Sequence, residues 1–262
     1  MQHLKFGFLT LLMACGMVFS QSKVVLKETS YTNDGKDFKT YVAYNSALKG
    51  KLPVVMIIPE WWGVNDYAQY RAKKIAELGY FAMVVDMYGN GKAVETPQEA
   101  QALATPFYQN AGMAKENFDA ATAHLKDFKN ANTDKIAVIG YCFGGAMALN
   151  MARQNGDLKG VASFHGNLMT GVEANNNNVK ILVLNGAADS YVPEKDIVAF
   201  KKEMEDHKID YQFINYPDAV HAFTNPNATA VGKKFGMNVA YNKSADLKSW
   251  AELKKFLKKI FK

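Results

Sequence analysis

Six short apolar runs recur along this chain: VVMIIP (Val54 to Pro59), YFAMVVD (Tyr80 to Asp86), KIAVIGY (Lys135 to Tyr141), GVASFH (Gly160 to His165), KILVLNG (Lys180 to Gly186) and YQFINY (Tyr211 to Tyr216). Most are apolar at successive positions, the pattern of parallel strands covered on both faces. Helical periodicity fills several of the gaps. In AQYRAKKIAELG, Ala68, Ala72, Ile75 and Ala76 share one face, and Gly79 stands where a helix stops. KENFDAATAHLKDF continues one helical face through Phe118, Ala121, Leu125 and Phe128, and EKDIVAFKKEMEDH supplies a third helix. Strand alternating with helix predicts an α/β fold, a mostly parallel doubly wound sheet with helices on both faces. KDFKTYVAYN (Lys36 to Asn45) alternates instead, so an antiparallel edge is expected near the N-terminus.

The chain has 262 residues, 48% of them hydrophobic and 21% charged, enough to bury one large core and far from the composition of a disordered segment. Residues 1–20 read as a signal peptide: Lys5, an apolar stretch from Phe6 to Phe19, then small polar residues. That stretch is too short for a stable membrane span. A second reading of the same region is a lipoprotein signal, LMAC, with lipidation at Cys15. Either way the protein is expected to be exported, periplasmic or secreted, with a single domain over 21–262. The formal net charge of +6 is spread along the chain. Its densest part, LKKFLKKIFK, places Trp250, Leu253, Leu257 and Ile260 at helical spacing, as in a C-terminal helix docked on a core. No nucleic-acid motif is present, and a monomer or weak oligomer is expected. EANNNN (Glu173 to Asn178) reads as a surface loop.

The chain has two cysteines, and processing after Ser20 leaves Cys142 alone, so no internal disulfide staples the fold. Cys142 sits in VIGYCFGGAMAL, where an apolar strand meets a helix, with Gly140, Gly144 and Gly145 around it. This is the pattern of a nucleophile elbow, Gly-x-Ser-x-Gly with cysteine in place of serine. The small residues relieve crowding at a strained turn, and the helix N-terminus favours a thiolate. A buried cysteine in a glycine-rich turn is the structural alternative.

Such an elbow requires an acid and then a histidine in chain order, each just past a later strand. Asp189 follows KILVLNG, and His221 follows YQFINYPDA. His221 is expected to carry protons and Asp189 to orient it. Asp218 is a rival acid, read as a turn residue after Pro217. His124 and His207 are assigned to helices away from the site. His165 precedes Asp189, so it is assigned a structural role, with the pocket wall as a second reading because it also ends a strand.

These residues together are recognisable. GYCFGGAMAL resembles the nucleophile elbow of the dienelactone hydrolases, an α/β-hydrolase family that uses a Cys-Asp-His triad. PEWWGVNDYAQYRAKKIAELGYFAMVVDMYGNG (Pro59 to Gly91) is similar to that family's first strand, oxyanion loop and following strand, and DSYVP and HAF match its acid and histidine segments. The similarity runs from about Val54 to Phe223. It implies Cys142 as nucleophile, Asp189 as orienting acid, His221 as base, and Glu60 as a partner that helps generate the thiolate. It implies an oxyanion hole from the backbone amides of Trp61 and Phe143; for Phe143 the position after the nucleophile leads to the same assignment. Trp61 would also wall the pocket, and Trp62 reads as core. Tyr88, Asn90, His165 and Asn225 are the candidate pocket positions. At Asn90 and Asn225 the resemblance calls for arginines that grip a substrate carboxylate, and neither asparagine supplies a charged fork. Lys92 reads as a solvated loop lysine rather than a substitute.

The leading expectation is a hydrolase that cleaves a small ester or lactone by acyl transfer, with no metal or organic cofactor. A non-catalytic small-molecule or carbohydrate binding protein on the same fold is the alternative. A redox sensor built on Cys142 is a third reading, opposed by the lack of a resolving cysteine.

Overall fold

The computed structural model describes residues 23–175 and 178–262. The expected signal segment 1–20, its alternative lipidation site Cys15, and Asn176 and Asn177 of the asparagine-rich loop lie outside the described residues. The strands are β1 (Val24–Asn33), β2 (Lys36–Asn45), β3 (Leu52–Ile58), β4 (Phe81–Val84), β5 (Ala131–Tyr141), β6 (Gly160–Phe164), β7 (Lys180–Gly186) and β8 (Tyr211–Tyr216). The α-helices are α1 (Asp66–Glu77), α2 (Pro97–Gln109), α3 (Ala111–His124), α4 (Phe143–Gln154), α5 (Glu194–Asp206), α6 (Ala228–Phe235) and α7 (Lys243–Ile260). Among the described residues the strands form one sheet in the order β1-β2-β4-β3-β5-β6-β7-β8. From β4 through β8 every pairing is parallel; β2 pairs antiparallel with β1 and with β4. The expected mostly parallel α/β sheet with an antiparallel N-terminal edge is therefore what the chain forms.

The apolar runs explain this sheet. In β3, Val54, Met56 and Ile58 face one core, which includes Phe107 of α2, Phe118 of α3, Met147 of α4 and Phe200 of α5. Val55 and Ile57 face a second core with Ala72 of α1 and Leu253 of α7. A strand buried on both sides has no polar face to alternate with, which is why its sequence is continuously apolar. β8 is an edge strand, and its residues other than Tyr216 keep some exposure, so YQFINY is not a doubly covered strand. In α7, Leu253 and Leu257 are fully buried, each contributing about 2 kcal/mol of apolar burial. The helix expected to run through Phe128 stops earlier: α3 ends at His124, where a 3₁₀ turn over Leu125–Asp127 redirects the chain into β5.

Two helices were not expected. α2 begins with a capping box in which Glu99 N–H donates to Thr96 Oγ1 and the Glu99 carboxylate accepts from Thr96 N–H, with Pro97 following the cap. α6 packs in a small satellite cluster with Ala222 and Val239. Both helices lie beside the rim where the parallel strands end, and they wall the site.

Candidate active site

In a parallel sheet the carboxyl ends of the strands share one rim. Here β3 delivers Glu60 and Trp61, β5 delivers Cys142, β6 delivers His165, β7 delivers Asp189 and β8 delivers His221, each within five residues of its strand's end. Cys142 caps α4 with φ 55° and ψ −119°, a left-handed conformation that costs a non-glycine residue about 1–3 kcal/mol. Close backbone approach makes room for it. A Cβ on Gly140 would stand 1.9 Å from the Gly144 carbonyl oxygen, and one on Gly144 would stand 2.1 Å from that of Ile58. Only glycine lets β5, β3 and the first turn of α4 meet at those distances.

His221 is buried; its Nδ1 bonds Asp189 Oδ2 at 2.8 Å, and its other ring nitrogen faces the Cys142 side chain. Burial works against a charged imidazole, but the Cys142 sulfur and the bond to Asp189 outweigh it and hold the His221 pKa well above its ordinary value. Asp189 Oδ1 is occupied separately, accepting the Tyr191 N–H at 2.9 Å, so the carboxylate is fixed in orientation.

Glu60 is 3% exposed. Its Oε2 accepts from Asn225 Nδ2 at 2.7 Å, and among the described residues its Oε1 has no hydrogen-bond partner. Burial raises its pKa to about 7, against the lowering effects of Asn225, His221 and Arg71. A cavity of about 350 Å³ opens over these groups, lined by Glu60, Trp61, Cys142, Phe143, His221 and Asn225 among others. The Phe143 amide lies in the first turn of α4, where no intrahelical acceptor exists.

The other sequence-derived positions are placed as follows. Asn225 lines the cavity; Tyr88, Asn90 and His165 do not. The Tyr88 hydroxyl donates to the Trp61 carbonyl oxygen at 3.0 Å, behind the cavity wall, and its ring packs on Phe143. Asn90 takes φ 56° in a turn and donates its amide to the Asp37 carbonyl oxygen, which fixes it beside β2. His165 is fully buried beneath Cys142. Trp62, read as core, is half-buried and lines the cavity, because the chain turns outward after Glu60. Asp218 occupies a turn at φ 57°. His124 ends α3, bonded to Thr29 and Asp127, and His207 caps α5.

Sequence reasoning missed the outer walls. α2 contributes Gln101, Ala104, Thr105 and Tyr108, and the α6 region contributes Ala228, Val231, Met237 and Val239. The capping-box sequence TPQE was a legible signal for α2; α6 had none of comparable strength. Tyr191, whose ring meets His221 edge-on at 5.1 Å, Asn167 and Ala222 complete the lining. Among the described residues, no lysine or arginine lines this cavity, and no group of three or more His, Cys, Asp or Glu side chains is disposed to hold a metal ion. No helix among them is long and apolar enough to cross a membrane.

A cysteine on a strained elbow at the rim of a parallel sheet, with Asp189 and His221 supplied by successive later strands, defines an α/β-hydrolase. Residues 38–261 match the model of the dienelactone hydrolase family, and the chain belongs to that family. It is an enzyme of the kind that hydrolyses esters or lactones. An uncharacterized protein of Caenorhabditis elegans is 32% identical over 157 residues, spanning 57% of this chain and 96% of the relative. A Yersinia pestis protein named provisionally as a carboxymethylenebutenolidase is 25% identical, over 75% of this chain and 78% of its own. The crystal structure of a dienelactone hydrolase-like promiscuous phosphotriesterase from metagenomic libraries superposes with a TM-score of 0.85 at 27% identity, covering 91% of this chain and 99% of that one.

Proposed function

We propose that this protein hydrolyses small, uncharged esters or lactones through a thioester on Cys142. The observation that carries the reading is that Cys142 and His221 both line the cavity and interact, with the 2.8 Å bond between His221 and Asp189 orienting the imidazole. In this mechanism Cys142 attacks as the thiolate beside the His221 imidazolium. Sγ bonds to the carbonyl carbon, and the displaced electron pair moves to oxygen, which the Trp61 and Phe143 amides receive. The carbonyl re-forms as the alkoxide departs with the proton from His221. Water then loses a proton to His221 and attacks the thioester, and the thiolate leaves as the acid product forms. Glu60 acts beside this pair as a carboxyl group that can exchange a proton near neutral pH, in keeping with its pKa of about 7.

The substrate class follows from the lining. With Glu60 as an acid and no lysine or arginine on the walls, the cation the cavity offers is the His221 imidazolium, already paired with Cys142 and Asp189, which leaves little to offset the desolvation of a substrate carboxylate. Apolar groups at Ala104, Ala228, Val231 and Val239 suit an uncharged acyl or alcohol portion. The test is turnover of short-chain aryl esters by the purified protein. Cys142→Ala is expected to lower kcat by about 10³-fold or more; unchanged activity in that variant would overturn the mechanism.

A further inference from the structure

His165 lies outside the cavity and has no place in the mechanism above, yet it is tied to both halves of the triad. Its Nδ1 accepts the Cys142 backbone N–H at 3.1 Å, and its Nε2 bonds Thr224 Oγ1 at 2.8 Å. Thr224 belongs to the loop that carries His221. We propose that His165 is a positioning residue: its imidazole ties the Cys142 elbow to the loop that carries His221 and so fixes the sulfur against its base. This rests on the reading of Cys142 as nucleophile.

The proton inventory of the contact leaves one arrangement. An amide N–H can only donate, so His165 Nδ1 carries no proton; the ring proton sits on Nε2 and is donated to Thr224 Oγ1. The ring must be neutral for this. Burial first, and then the nearby His221 and Arg71 charges, hold the His165 pKa well below its ordinary value.

The tether has a firm far end. Thr224 Oγ1 bonds Tyr67 hydroxyl at 2.7 Å, and Arg71 Nε donates to that hydroxyl at 3.0 Å. The Arg71 guanidinium also donates to the Thr224 carbonyl oxygen and to Asp246 Oδ1, both at 2.7 Å. All four of His165, Thr224, Tyr67 and Arg71 are buried. A strained backbone persists only where its surroundings over-determine it. Cys142 and His165 both hold positive φ, 55° and 41°, and the Cys142 amide is anchored by this ring and by the Phe164 carbonyl oxygen at 3.0 Å.

The experiment compares His165→Asn with His165→Leu. Asparagine tolerates positive φ and places Oδ1 near the position of Nδ1, so it retains an acceptor for Cys142 N–H; leucine offers none. For short-chain aryl esters, kcat is expected to fall about 100-fold in the leucine variant and less than about tenfold in the asparagine variant, with KM unchanged in both. The rate of Cys142 alkylation by iodoacetamide should follow the same order. Equal losses in the two variants, or wild-type kcat in His165→Leu, overturn the proposal. Nitrogen-15 imidazole spectra of the wild-type protein test it without any variant needing to fold: His165 should appear as the Nε2–H tautomer, and a proton on Nδ1 refutes the tether. If Cys142→Ala retains activity, the nucleophile assignment fails, while the tautomer still judges the contact.

Discussion

Glu60→Gln isolates the titration of one buried carboxyl group. In the folded protein burial raises the Glu60 pKa from an ordinary 4.5 to about 7. In the unfolded chain the same group has its ordinary value. Between those two pH values the native state binds the proton more tightly, so wild-type stability falls as pH rises through the window. Below 4.5 both states are protonated, and above about 7 both are ionised, so the loss then stays constant. At 1.36 kcal/mol per pKa unit, the full loss is about 3 kcal/mol. Glutamine does not titrate and keeps an oxygen to accept from Asn225 Nδ2. Its NH₂ group, placed where Oε1 has no hydrogen-bond partner among the described residues, adds an offset that does not depend on pH. The assay is urea unfolding of both proteins at closely spaced pH values from about 4 to about 9. The stability of the variant minus that of wild type should climb by about 3 kcal/mol across the window and then level off. Groups remote from Glu60 contribute equally to both proteins and cancel in the difference, while the coupling of Glu60 to the His221 charge is part of the step itself. A flat difference curve, or a step of the opposite sign, refutes the assignment of a raised pKa to Glu60.

Gly144→Ala should destabilise the fold by about 3 kcal/mol or more, because its Cβ would stand 2.1 Å from the Ile58 carbonyl oxygen and 2.4 Å from that of Pro59. Thermal unfolding would register this as a lower Tm, and an unchanged Tm would show that α4 can move away from β3. Asn225→Arg introduces a guanidinium at the cavity wall beside Glu60. The ratio of kcat/KM for a carboxylate-bearing lactone to that for a neutral aryl ester is expected to rise by about tenfold. A ratio that does not move would show that a cation at this position does not select substrate charge.

The alternation of apolar runs with helical periods, the glycine-flanked Cys142, and the order of Asp189 and His221 after later strands could all be read directly from the chain. Each depends on local spacing, and a parallel sheet turns that spacing into a shared rim because every strand of the set points the same way. The resemblance also extended to Glu60, whose burial and raised pKa are tertiary properties. What the chain alone did not reveal were contacts between residues far apart in sequence. His165 and Thr224 are 59 residues apart, and Arg71 reaches Thr224 across 153. Trp62 looked like core because an aromatic after a strand normally is, and the outward turn that sends it to the cavity is decided by packing. The same holds for the walls built by α2 and α6, since periodicity says that a face will be buried but not what will cover it. Local pattern thus determined the sheet and singled out the candidate reactive groups. Only the folded chain decided the charge of the cavity and the tautomer of His165, because electrostatics and desolvation depend on every group brought near, whatever its place in the sequence.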